Sequence, residues 1–87
     1  MAGTFHFSLV SPERELFSGD VDQVDAPGSE GAFGVLPGHA PFMTTLREGR
    51  IHVRNDGVDH VFEVKGGFAD VTPAGLTILA EEAVEVS

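Results

Sequence analysis

An all-β fold, a ten-stranded flattened sandwich or barrel, is predicted by three features of the sequence. Eleven Gly and five Pro punctuate the 87 residues so densely that long helices have no room. Between these breakers lie short stretches in which apolar and polar residues alternate, the pattern of strands buried on one face. The sharpest turn signal, Asn55-Asp56-Gly57, joins two such stretches, because Asn and Asp tolerate positive φ and Gly adopts it freely.

Taken in order, the first strand is predicted over Thr4–Val10, where Phe5, Phe7 and Leu9 alternate with His6 and Ser8. Glu15–Ser18 and Asp20–Ala26 follow, separated at Gly19. In the latter Val21 and Val24 fall on opposite faces, which predicts a bulge or a two-sided contact. Gly31–Leu36 and Phe42–Leu46 flank a proline-rich corner, and Arg50–Asn55 sets Ile51 and Val53 inward against Arg50, His52 and Arg54. On the returning strand Val58–Lys65, the inward set is His60, Phe62 and Val64, with His60 near the rim. Gly67–Thr72, Gly75–Ala80 and Ala83–Val86 complete the ten, with Phe42, Phe62 and Phe68 assigned to the core and Phe33 to an exposed position. Ten short strands at this spacing suit a sandwich or closed barrel. The chain carries no repeat, linker or low-complexity tract, so residues 1–87 are expected to form one domain.

With 41% hydrophobic and 22% charged residues, the composition is that of a folding chain. Five Lys plus Arg against 14 Asp plus Glu give 5 − 14 = −9, which disfavours nucleic acid and anionic bilayers as direct partners. The absence of Cys excludes disulfides, thiolate nucleophiles and cysteine zinc sites. No apolar run approaches the roughly 18 residues of a membrane span, and the N-terminus has neither a secretory nor a transit pattern.

The most informative stretch is Gly28-Ser29-Glu30-Gly31-Ala32-Phe33-Gly34-Val35-Leu36-Pro37-Gly38-His39-Ala40-Pro41. Pro37 fixes φ, Gly38 can take a positive φ, and Pro41 keeps Ala40 out of the helical region, so His39 is held at a stiff corner. Glu30 lies in a loop whose backbone can approach another surface closely. With Ser11, Phe17-Ser18-Gly19, Val21, Thr44, Leu46, Gly49, Ile51, Gly66-Gly67-Phe68, Val71, Thr77-Ile78-Leu79-Ala80-Glu81 and Ala83, this pattern resembles the epsilon-subunit family of F-type ATP synthases, the counterpart of mitochondrial delta. The likeness spans that family's whole N-terminal β-domain.

The resemblance implies a ten-stranded sandwich low on the rotating central stalk. There it binds the gamma subunit, touches the polar loops of the membrane ring of c subunits, and serves as a non-catalytic coupler without a cofactor. It also implies a peripheral position on the cytoplasmic face of a bacterial inner membrane, with membrane contact only through the complex. Carried over by position, the ring-facing loop is Ser29, Glu30, Gly31, Ala32 and Phe33, and the gamma-facing surface includes Ser11, His39 and Thr44. Ala32 stands where many relatives have an acidic residue, leaving Glu30 as the nearest carboxylate. Most relatives also continue into an inhibitory helical hairpin, which in some bacteria binds ATP. This sequence stops at Ser87, so no nucleotide binding is expected of it.

Other readings of the same residues compete. His39 can be a turn residue bonded to nearby backbone as well as a partner contact, and Glu30 can be a solvated carboxylate. Glu81, Glu82 and Glu85 read as solvated positions on or beside the last strand. His6, His39, His52 and His60 lack ligand spacing for a metal. Gly28–Gly34 lacks the ending of a phosphate loop, and Ser11, Ser18 or Ser29 would need a His and an acid in hydrogen-bond geometry to act as nucleophiles. The rival to the coupler is a stand-alone β-sandwich that binds a ligand through its loops, which requires a concave, partly apolar pocket with convergent polar groups.

Overall fold

A computed structural model describes residues 3–86. Its ten strands are β1 (Phe5–Val10), β2 (Glu15–Val21), β3 (Gln23–Gly28), β4 (Gly31–Val35), β5 (Phe42–Leu46), β6 (Gly49–Asn55), β7 (Val58–Val64), β8 (Gly67–Thr72), β9 (Gly75–Ala80) and β10 (Ala83–Glu85). Every strand expected from alternation is present, most within a residue or two of the expected bounds. The exception is the β2–β3 corner. Gly19 does not break β2 but lies within it opposite Phe7, and the chain turns instead at Asp22. That corner resets the alternation, so Val21 and Val24 both reach the core from different strands without a bulge between them. The register shift in this region lies in the β1–β2 ladder between Leu9 and Val10, where Leu16 is the extra residue on β2.

The strands form one continuous ladder in the order β10-β7-β6-β3-β5-β8-β9-β1-β2, with β4 paired to the other edge of β3. β1 and β9 run parallel and the remaining pairs are antiparallel. β3 joins the two halves: Gln23–Asp25 pair with β6, whereas Gly28 pairs with Leu46 of β5. The ladder folds over so that β2 returns against the far end. There Phe17 packs edge-on against His60 and Phe62, with ring centroids 5.5 and 6.2 Å away. Among the described residues, side chains rather than ladder hydrogen bonds seal this seam.

The two halves enclose an entirely apolar core, with Phe7, Phe62, Leu9, Ile51, Leu76 and Ile78 fully buried and, among the described residues, no buried polar side chain. Phe62 and Val64 point inward and His60 lies half-buried at the rim, as their parity on β7 predicts. Phe42 packs against the core's edge. Phe68 does not: it is 37% exposed on the outside of β8, because Ala69 and Val71 take the inward positions of that strand. Phe33 is half-buried rather than presented, its ring edge-on to Phe42 at 5.2 Å.

The turns follow the local chemistry. Asp56 and Gly57 both have positive φ, 52° and 81°, as the two-residue hairpin between Asn55 and Val58 requires. Gly75 combines φ 143° with a close approach, since a Cβ there would lie 2.2 Å from the carbonyl oxygen of His6. Gly75→Ala is therefore expected to force the β1–β9 ladder apart. A drop in melting temperature of at least about 8 °C is the expected result in a thermal scan, from roughly 2 kcal/mol in a domain of this size.

Candidate functional site

Ser29 and Glu30 form the two-residue connection between β3 and β4, bracketed by the Gly28–Gly31 pair. Ser29 is tied down: its N–H donates to the Thr45 carbonyl at 2.9 Å and its Oγ shares a 2.6 Å hydrogen bond with Thr45 Oγ1. Arg47 N–H donates to the Pro27 carbonyl at 3.0 Å beside it. The tip of the hairpin is thus stapled to β5, and Glu30 projects from a fixed base into solvent. Gly31 and Ala32 are exposed where β4 begins.

His39 ends a turn over Leu36–His39 in which its own N–H donates to the Leu36 carbonyl at 3.1 Å and Gly38 adopts φ 82°. Pro at the second position and Gly with positive φ at the third are what a type II turn demands. The exposed imidazole lies edge-on to Phe42 at 5.3 Å. It borders a pocket of about 280 Å³ at one end of the sandwich, walled by Phe5, Val35, Leu36, Pro41, Val71 and Pro73. Ser11 is half-buried and engaged in its own loop, its N–H and Oγ both donating to the Arg14 carbonyl at 2.9 and 3.2 Å. Thr44 is half-buried on β5, and its Oγ1 donates to the Thr45 carbonyl at 3.3 Å.

Those of these positions that line a depression, His39 excepted, fall on two connected regions. Ser29, Glu30 and Thr44 border one shallow depression with Met43, Thr45 and Phe68. Ser11 borders a second, adjoining depression with Val10, Pro12, Phe68 and Leu79. Phe68 is common to both, so the ring-side loop and Ser11 lie at opposite ends of one outer face. His39 lies apart from both depressions, at the end-of-sandwich pocket.

The residues that join the two regions were not predicted. Cross-strand register places Thr45, Phe68, Leu79 and Val10 in one row across β5, β8, β9 and β1, with Met43 in the next row. Met43, Phe68 and Leu79 are 65, 37 and 40% exposed. At about 4.8 Å per strand the row runs roughly 14 Å. The available signal was parity: on β8, Phe68 has the opposite parity to Ala69 and Val71, and on β9 Leu79 has the opposite parity to Leu76, Ile78 and Ala80. Only the strand order brings the odd residues together.

A Ser–His–Asp grouping does occur, on the outside of β1 and β2. His6 Nε2 lies 3.2 Å from Ser8 Oγ and 3.4 Å from Ser18 Oγ, and its Nδ1 lies 3.6 Å from Asp20 Oδ1. The His6 and Asp20 side chains are 50 and 71% exposed, so water reaches every member. The grouping is an open cross-strand polar row without the water-excluded, preorganised surroundings that make a serine an effective nucleophile.

The class defined by this fold and these surfaces is an all-β sandwich whose presented features are stiff loops and one apolar outer face. The chain belongs to the family described as ATP synthase, Delta/Epsilon chain, beta-sandwich domain, which matches residues 4–86. It is 68% identical over 82 residues to the ATP synthase epsilon chain of Caulobacter vibrioides, covering 94% of this chain and 95% of that one. It is 69% identical over 88 residues to the ATP synthase epsilon chain of Hyphomonas neptunium, covering all of this chain but 65% of that relative. The fold superposes with TM-score 0.89 and 26% identity on a chain of the Euglena gracilis mitochondrial ATP synthase, in a structure of OSCP, F1 and c-ring, covering 98% of this chain and 55% of that one. A chain from the Tetrahymena thermophila mitochondrial ATP synthase central stalk and c-ring shares the fold, with TM-score 0.80 at 17% identity and coverage of 92% and 65%.

Proposed function

We propose that this chain is a non-catalytic rotor subunit of an F-type ATP synthase, coupling the membrane c-ring to the gamma subunit of the central stalk. The observation that carries the reading is its identity of 68% to an epsilon chain along nearly the whole length of both sequences. The Euglena neighbour, from an assembly holding F1 and c-ring, supports the same place in the complex. In this reading the chain is peripheral to the membrane, reaching it through the complex on its cytoplasmic face.

The physical properties suit the role. A ladder of ten strands folded over a core without buried polar side chains among the described residues resists shear, because sliding would break many ladder hydrogen bonds and core contacts together. Glu30, on a hairpin tip held by Ser29 and Thr45, is the carboxylate placed to meet the polar loops of the ring, with Gly31, Ala32 and Phe33 behind it. The gamma subunit takes the adjoining face from Met43 and Thr45 across Phe68 and Leu79 to Ser11, and His39 at the end of the sandwich, with Thr44 set on the inward side of β5 opposite Ala69.

Native mass spectrometry of the chain mixed with the gamma subunit of its own organism tests the reading. An equimolar complex is expected, and absence of any complex contradicts it. Glu30→Gln and His39→Ala are expected to shift the isolated domain's melting temperature by no more than a few degrees, since both side chains are exposed. Reduced yield of the assembled stalk and ring is the expected effect of both. A large loss of domain stability would instead assign these two residues to folding.

A further inference from the structure

The β3–β4 hairpin carries Glu30 on an arm that the ladder holds on one side only. β3 pairs with β6 through Gln23, Val24 and Asp25, and beyond them, among the described residues, meets β5 in register at Gly28 alone, opposite Leu46. Pro27 has no N–H to give to that edge, and its carbonyl accepts from Arg47 N–H at 3.0 Å. β4 has β3 as its one ladder partner among the described residues. In a two-residue hairpin closed by the Gly28–Gly31 pair, Gly31, Phe33 and Val35 turn their peptide groups toward β3. Those of Ala32 and Gly34 are left on an open, exposed edge. Pro27 beside Gly49 and Phe33 on Phe42 hold the body of the arm by packing. The last tie before Glu30 is polar.

We infer that Thr45 is the positioning residue of this tip, its hydroxyl setting where Glu30 points, a role that rests on reading Glu30 as the ring contact. Two groups of Thr45 grip Ser29: the carbonyl accepts the Ser29 N–H at 2.9 Å, and Oγ1 shares the 2.6 Å hydrogen bond with Ser29 Oγ. One bond to the backbone and one to the side chain fix Ser29 in orientation as well as in place, and with it the adjacent Glu30. Ser29 and Thr45 are both exposed, so water can replace the hydroxyl pair and its loss costs the whole domain little. The effect is local to the tip. Thr45 also stands opposite Phe68, at the end of the row that runs through Leu79 to Val10. The same residue therefore joins the tip to the outer face, so that a load on Glu30 passes into β5 and β8 instead of bending the hairpin. Valine in this place would suit the strand equally well, being β-branched and of the same shape, but would not make the joint.

In the full chain, Thr45→Val removes the hydroxyl and keeps the shape, Thr45→Ser keeps the hydroxyl, and Ser29→Ala removes its partner. Hydrogen exchange at the Ser29 amide is expected to quicken about fivefold in T45V and in S29A, as loss of one solvent-exposed hydrogen bond predicts. The Glu30 amide order parameter is expected to fall from about 0.85 to below about 0.6 in both. T45S is expected to match wild type in both measurements, and T45V/S29A to exceed neither single variant, because the two substitutions remove the same bond. All four variants are expected to melt within a few degrees of wild type. Unchanged exchange and order in T45V and S29A, or the same changes in T45S, would overturn the inference. In the complete enzyme T45V is expected to lower the yield of assembled stalk and ring as Glu30→Gln does, and T45S to restore it. Full assembly with T45V beside impaired assembly with Glu30→Gln would overturn the inference too. A loosened tip in T45V with full assembly by both variants would leave the joint standing and remove the ring assignment.

Discussion

Phe62→Ala is expected to leave the domain largely unfolded at physiological temperature. Phe62 is fully buried on β7 and opposite Ile51 of β6, and its ring is met from across the seam by Phe17 at 6.2 Å. Truncating a buried Phe costs about 3–5 kcal/mol from lost transfer energy and the cavity left behind. A chain of this length has roughly 4–13 kcal/mol of total stability at the usual per-residue values. The seam sharpens the effect: among the described residues β2 and β10 are not joined by ladder hydrogen bonds, so loss of the Phe62 ring removes part of what closes the barrel. Urea denaturation should show the midpoint fall with little change in slope, and thermal scans a loss of about 12 °C or more. A change under about 4 °C would mean that the seam closes by other contacts.

Phe68→Asp is expected to do the reverse, sparing the fold and abolishing docking. The side chain is 37% exposed at the centre of the outer face, flanked in register by Thr45 and Leu79, and no buried group depends on it for a hydrogen bond. If this face is the gamma contact proposed above, the substitution removes its central apolar anchor and adds a carboxylate among apolar groups. Loss of affinity on the order of a hundredfold or more is the expected result in calorimetry or interferometry, as for interface hot spots. The isolated domain should keep its far-ultraviolet spectrum and melt within a few degrees of wild type. Undiminished binding by the folded variant would move the gamma contact away from this face.

Most of the fold is legible in the sequence because period-two alternation is a local signal. Phe7 and Leu9, Ile51 and Val53, Phe62 and Val64 declare their inward face within a single strand. The Asn55–Val58 turn is equally local, since positive φ at Asp56 and Gly57 follows from residue type. The β2–β3 corner is not local. Gly19 looks like a breaker, yet it is absorbed within β2 where its bare Cα faces Phe7 across the ladder, and nothing in the adjacent residues marks Asp22 as the bend. Residue type also misleads: the sequence reading places Phe68 in the core, whereas the smaller Ala69 and Val71 hold the inward positions of β8.

The candidate site divides along the same line. The corner at Pro37-Gly38-His39 and the presented Glu30 follow from turn chemistry, and the structure holds both where that chemistry puts them. The apolar face depends on partners far apart in sequence. Met43, Phe68 and Leu79 each look like an ordinary apolar residue in a strand, and only the order β5-β8-β9-β1 sets them side by side. The carboxylates beside them belong to connections, Glu13 after β1 and Glu81–Glu82 after β9, which become neighbours because β1 and β9 run parallel.

The most direct test of the coupling role is proton-driven ATP synthesis in vesicles carrying the complete enzyme of the same organism, depleted of this chain and then replenished with it. Synthesis is expected to be lost on depletion and restored by wild type, with Phe68→Asp failing to restore it although the protein is folded. Equal synthesis with and without the chain would contradict the account.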